Sequence, residues 1–271
     1  MITHVSRASR ARLCMAIAAA LAAPSMPVAA RTLLPGADVT VRPGDVVEAW
    51  MLNQATLTVL TGASTNAIEG FQSTLNLSGQ VSDTGSGVLL HNGSTATLTG
   101  AQVTSLSATG LVLSNQSINP GSDVGATATV ARSQITGGAW GASVFNAGML
   151  NLDASNVAGV GTSGSGLLLA DGSVAATGGT VISGTVNGVV IQGENRFGTN
   201  PAAGRHLLLD GSTVQGQTGS AIVMGPRDPV QNTADVTLRN GARVVGGNGV
   251  AFEAGGATDL TVQAENSTVV G

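Results

Sequence analysis

Two histidines beyond the first thirty residues, His91 and His206, and 15 Asp and Glu residues are what this chain has for moving protons. Glycoside cleavage would need two of those carboxylates within roughly 5 to 10 Å of each other. The acids instead come singly, mostly at turns: Asp83, Asp153, Asp171, Asp210 and Asp259. No Asp-Asp pair, Gly-His-Gly triplet or Lys occurs. His91 sits beside a turn and His206 opens a strand, so both are expected as solvated edge residues. GVGTSG, Gly159 to Gly164, fits G-x-G-x-x-G, but a strand follows where a dinucleotide site needs a helix. GGNGVAF, Gly246 to Phe252, has Ala251 where the calcium-binding repeat has Asp. A G-x-S-x-G elbow is absent, and Asp171-Gly172-Ser173 and Asp210-Gly211-Ser212 read as turns. With no Tyr, and with Trp50 and Trp140 the only Trp, an aromatic platform for sugars is missing. No catalytic, cofactor-binding or metal-ligating residue is assigned on these grounds, and no cofactor is expected.

The elements that would position any site come next. Residues 1–30 read as a secretory leader: Arg7, Arg10 and Arg12 precede the apolar run LCMAIAAALAA, and PSMPVAA offers small residues before Arg31. The run is about half the roughly 20 residues that a membrane span needs. Cleavage after Ala30 removes Cys14, the single Cys. Of the 11 Arg, 8 then face 15 acids, a net charge near −7 that argues against a nucleic-acid partner.

Beyond residue 55 the sequence repeats one three-part phrase, and a period of this kind redefines the whole fold. Its first part is an apolar alternation, in nine copies: Leu57/Val59, Leu75/Leu77, Ala96/Leu98, Ala128/Val130, Leu150/Leu152, Val174/Ala176, Leu207/Leu209, Val236/Leu238 and Leu260/Val262. A lone β-branched residue follows: Val81, Val103, Ile135, Val157, Val181, Val214, Val244 and Val269. Then a Gly introduces a third alternation, as at Gly87 with Val88/Leu90, Gly110 with Leu111/Leu113, Gly166 with Leu167/Leu169, Gly188 with Val189/Ile191 and Gly249 with Val250/Phe252; Ser220 replaces Gly once. Period-two alternation turns one row of side chains inward. Three such strands cornered by Gly, Asn, Asp and Ser make one coil too thin to bury its own apolar row, so coils must stack. The fold expected is all-β: a right-handed parallel β-helix of about nine three-strand coils, a rod roughly 40 Å long at the parallel strand spacing. Residues 31–55 are expected as its N-terminal cap, and residues 56–271 as the helix, ending within a coil.

Three insertions fall at one corner, between the third strand and the next first strand: SNQSINPGSDVGA, QGENRFGTNPAAGRH and MGPRDPVQNTAD. Insertions in one phase project from one edge of the rod, and such an edge is often a binding face. It carries Arg196, Phe197, Arg205, Arg227 and Asp228, and Arg and aromatic residues commonly anchor interfaces. These five are the candidate binding edge.

Phrases such as GVLLHNGSTATLTGAQV and GVAFEAGGATDLTVQAENSTV, the leader and the cysteine-free body resemble a bacterial autotransporter passenger of the pertactin-like kind. The resemblance covers essentially the whole chain after the leader. It implies export, translocation through an outer-membrane β-barrel, and display at the cell surface as an adhesin or virulence factor. No Arg-Gly-Asp triplet supports integrin binding, and no barrel-forming segments follow STVVG, so the barrel is expected on another chain or in a lost C-terminal part. The reading from sequence is therefore a non-enzymatic, exported surface rod that binds a host-cell or bacterial surface ligand. The alternative is a secreted β-helix polysaccharide lyase or glycoside hydrolase whose site carries no recognisable motif.

Overall fold

The computed structural model describes residues 30–114, 124–192, 204–225, 232–255 and 258–271. Residues 1–29, and with them most of the leader, lie outside the described residues.

Every strand pair in the described residues is parallel, and the strands form an 18-stranded and a nine-stranded sheet. The expected all-β parallel β-helix is the fold observed. The nine-stranded sheet stacks the lone β-branched residues, with Val81 facing Val103, Val103 facing Ile135 and Ile135 facing Val157. The larger sheet holds both the first and the third strands of the phrase. They merge because Trp140–Asp153 and Ser165–Thr177 run unbroken round the corner between them. That corner is turned by left-handed residues, Asn146 and Ala147 in one strand and Asp171 in the other. Residues 31–53 join the same stacks: Arg31–Leu33 pairs with Trp50–Asn53, and Asp38–Val41 pairs with Thr56–Val59.

The core is a set of ladders in which aliphatic side chains stack on aliphatic side chains. Leu57 faces Leu75, Leu75 faces Ala96, Ala96 faces Ala128, Ala128 faces Leu150 and Leu150 faces Val174, all buried. A single coil could not exclude water from these side chains; the neighbours above and below do so. Inward hydroxyls at the corners tie successive coils. The backbone N–H of Ala101 donates to Ser133 Oγ, that of Ser133 to Ser155 Oγ and that of Ser155 to Thr180 Oγ1, at 3.0, 3.1 and 3.2 Å. Buried backbone donors without strand partners are satisfied in this way.

Three details differ from the sequence reading. Val157 faces Ile182, so Ile182 and not Val181 fills the core in that coil. Ile222 faces Phe252 and Met224 faces Ala254, which shifts the last third strand by two residues from the expected Val250/Phe252 and turns Val223 outward. The position equivalent to Gly188 is then Ala221, not Ser220. Finally, four of the five glycines expected to open third strands, Gly87, Gly110, Gly166 and Gly188, are not left-handed, whereas Gly249 is, with φ 83°. A Cβ on Gly110 would meet Gly141 O at 2.7 Å, one on Gly141 would meet Gly166 O at 2.6 Å, and one on Gly166 would meet Gly188 O at 2.7 Å. Close approach of successive coils selects glycine in this column.

Candidate functional site

Strand alternation on the third strands sends Ile68/Gly70, Val88/Leu90, Leu111/Leu113 and Ala142/Val144 inward, and the residues between them outward. Parallel register then builds two outward rows. Glu69, Leu89, Val112 and Ser143 face one another in sequence along the first. Phe71, His91 and Ser114 do so along the second. His91 thus stands between an aromatic ring and a hydroxyl, with Glu69 diagonally behind it.

Its side chain is wrapped on both sides. His91 Nδ1 lies 2.5 Å from Ser114 Oγ. Nε2 lies 3.5 Å from Glu69 Oε1, an ion-pair distance too long for a good hydrogen bond, and it has no hydrogen-bond partner among the described residues. The ring is tilted 30° against Phe71 at 4.8 Å between centroids. Although it points away from the core, His91 is only 1% exposed, whereas the Glu69 side chain is 37% exposed, so the site meets solvent at its acidic end. Burial holds the His91 pKa below its ordinary 6.5, and the Glu69 carboxylate offsets part of that effect. The imidazole is neutral at pH 7.

In the neutral ring one nitrogen carries a proton and the other accepts. In the tautomer protonated at Nε2, on the side of the carboxylate, Nδ1 accepts the hydroxyl proton of Ser114. A hydroxyl, an imidazole and a carboxylate in this order match the arrangement of nucleophile, base and orienting acid used in acyl transfer. A two-carboxylate glycosidase does not fit this face. Among the described residues, Glu69 and Glu253 are the only acids on its outward rows, and the rungs through Leu89, Val112, Ser143, Leu168, Val190 and Val223 put them about 34 Å apart. No group of three or more His, Cys, Asp or Glu among the described residues could hold a metal ion.

The expectation that His91 is a solvated edge residue is corrected by this geometry. His206 is exposed as expected, 3.3 Å from Asp235. Of the candidate binding edge, Arg196, Phe197, Arg227 and Asp228 lie outside the described residues. Arg205 is engaged within the rod: its guanidinium meets Asp171 at 2.6 Å and donates to the backbone oxygens of Gln192 and Thr233. Glu69 and Ser114 escaped the sequence reading. The signal for them was phase, since His91 directly follows the inward Leu90 as Ser114 follows the inward Leu113.

No protein-family model matches the sequence, and no curated protein matches it significantly. Two solved structures resemble the fold. One is the A-module of the Azotobacter vinelandii mannuronan C-5 epimerase AlgE4, 12% identical, covering 96% of this chain and 92% of that one with a TM-score of 0.38. The other is the AlgE6 A-module of the same organism, 13% identical, covering 96% and 94% with a TM-score of 0.33. At such identities the likeness is one of fold. Both structures are of enzymes, and the reading of this chain as a non-enzymatic binding rod is corrected accordingly.

Proposed function

We propose that this chain is an exported β-helix enzyme that hydrolyses ester substituents on a polysaccharide, with Ser114 as nucleophile, His91 as general base and Glu69 as the group that orients and balances the imidazole. The observation that carries the reading is the 2.5 Å contact between Ser114 Oγ and a buried His91 that has Glu69 3.5 Å from its other nitrogen. The leader-like first thirty residues and the resemblance to pertactin-like autotransporter passengers support export and a passenger role.

A polymer is the substrate suited to the rod's flank. Across the corner from His91, the first strands expose two uncharged rows in register: Thr56, Thr74, Thr95 and Thr127, and beside them Thr58, Asn76, Thr97 and Thr129. Hydroxyl and amide groups repeating at the strand spacing of about 4.8 Å can exchange hydrogen bonds with successive sugars of a chain lying along the rod axis.

The test uses the purified chain with O-acetylated xylan, O-acetylated mannuronan and p-nitrophenyl acetate as probes, and a fluorophosphonate as a label. Acetate release and a single adduct on Ser114, both lost in Ser114→Ala, are expected. An adduct on another residue, or neither release nor adduct, overturns the assignment.

A further inference from the structure

One buried hydroxyl on the same face is left over. Ser143 is 2% exposed, and its Oγ has no hydrogen-bond partner among the described residues. An unpartnered buried hydroxyl costs free energy, so its persistence calls for an explanation from function. Register places it. Val112 faces Ser143 and Leu113 faces Val144, so Ser143 lies one coil beyond Ser114 and two positions back, in the row that Glu69 begins. Glu69, His91, Ser114 and Ser143 therefore follow one another over four consecutive coils, flanked by the apolar Leu89, Val112, Phe71 and Phe145.

We infer that Ser143 is the oxyanion donor of the ester-cleaving site, an inference that rests on the function proposed above. From strand geometry the Ser114 and Ser143 Cα atoms are about 8 Å apart. A carbonyl with its carbon about 3 Å from the Ser114 oxygen and its own oxygen about 3 Å from the Ser143 hydroxyl spans about 7 Å. In the step, Ser114 Oγ bonds to the ester carbon and its proton passes to His91 Nδ1. The carbonyl π pair moves onto oxygen, where the Ser143 O–H donates to it. Collapse of the tetrahedral species expels the sugar oxygen, which takes the proton back from His91. Water then repeats the sequence on the acyl-serine and releases a carboxylic acid. The substrate class is a neutral carboxylic ester, because the residues flanking the two serines are apolar and the one Arg on the strands of this face among the described residues, Arg31, lies two coils before Glu69 and is paired with Glu48 at 3.2 Å.

Ser143→Ala, assayed on p-nitrophenyl acetate beside the unmodified chain, separates the possibilities. Loss of a donor to the oxyanion is expected to lower kcat about 100-fold or more with KM unchanged. Binding of phenylboronic acid, which forms a tetrahedral anion on Ser114, is expected to weaken by a similar factor. The urea midpoint is expected to hold or rise, since the hydroxyl removed has no partner. Wild-type kcat and boronate affinity in Ser143→Ala, or a kcat loss accompanied by a lower urea midpoint, overturn the role of Ser143 while leaving Ser114 and His91 in place. If the unmodified chain neither hydrolyses the ester nor takes the fluorophosphonate label, the function and this inference fall together.

Discussion

Asp171 and Arg205 form a nearly buried ion pair in which Oδ1 stands 2.6 Å from a guanidinium nitrogen, with the two side chains 11% and 12% exposed. Gly172 faces Arg205 across adjacent coils, and the same guanidinium reaches the backbone oxygens of Gln192 at 2.9 Å and Thr233 at 3.1 Å. One side chain thus ties strands of successive coils at the corner where two of the insertions leave the rod.

Breaking a buried pair by removing one partner costs about 3 to 5 kcal/mol. Arg205→Ala is expected to lower the urea midpoint clearly. Arg205→Lys should recover little, since an ammonium lacks the planar fork that serves three acceptors. Equal midpoints for Arg205→Lys and the unmodified chain would refute the clamp.

The glycine column makes a second test. Gly141→Ala puts a methyl 2.6 Å from Gly166 O, while at Gly225, where φ is not positive, nothing among the described residues lies within 4 Å of a Cβ. Overpacking of this kind costs about 1 to 3 kcal/mol. Gly225→Ala should be neutral or slightly stabilising, and a ranking in the opposite order by chemical denaturation would show that coil spacing is not what selects glycine.

Core ladders predict a third contrast. Leu152 is 1% exposed and faces both Val130 and Ala176. Leu152→Ala should cost about 2 to 5 kcal/mol. Leu34, at 67% exposure, has far less to lose. Comparable urea midpoints for Leu152→Ala and Leu34→Ala would contradict the inward register.

His91 gives stability a pH dependence with a definite sign. Burial lowers its pKa in the folded chain, so between that value and the ordinary 6.5 the unfolded chain binds more protons. Stability then rises with pH through this window and is flat, as far as His91 is concerned, above about 6.5. Urea titrations at pH 5 and pH 7.5 should show a smaller pH effect in His91→Gln than in the unmodified chain. The same shift keeps the base unprotonated, so kcat should level off below the pH at which an ordinary histidine would allow it. An acid limb of the kcat profile lying above pH 6.5 would rule out a neutral His91 as base.

The repeat was legible because period-two alternation reports which side of a strand meets the core, and the phrase returns with the same order in every coil. Leu75/Leu77, Val81 and Val88/Leu90 were each assigned to their stacks from spacing alone. Errors entered where spacing was loose: Val181 and Ile182 are both β-branched, and the glycines before Phe252 offered more than one starting point. Composition did not distinguish them; a neighbouring coil did, by admitting one register.

By itself the sequence determined the class of fold, since aliphatic rows too thin to bury alone can exclude water only by stacking. It also determined the phase of the insertions and the scarcity of charge on the coil faces. Only the tertiary structure decided what His91 is. In sequence, Glu69, His91, Ser114 and Ser143 are isolated residues 22, 23 and 29 positions apart; in the β-helix each interval is one coil, and adjacent rungs are about 4.8 Å apart. Stacking brings those distant residues onto neighbouring rungs, and burial by the same stack favours the neutral form of His91.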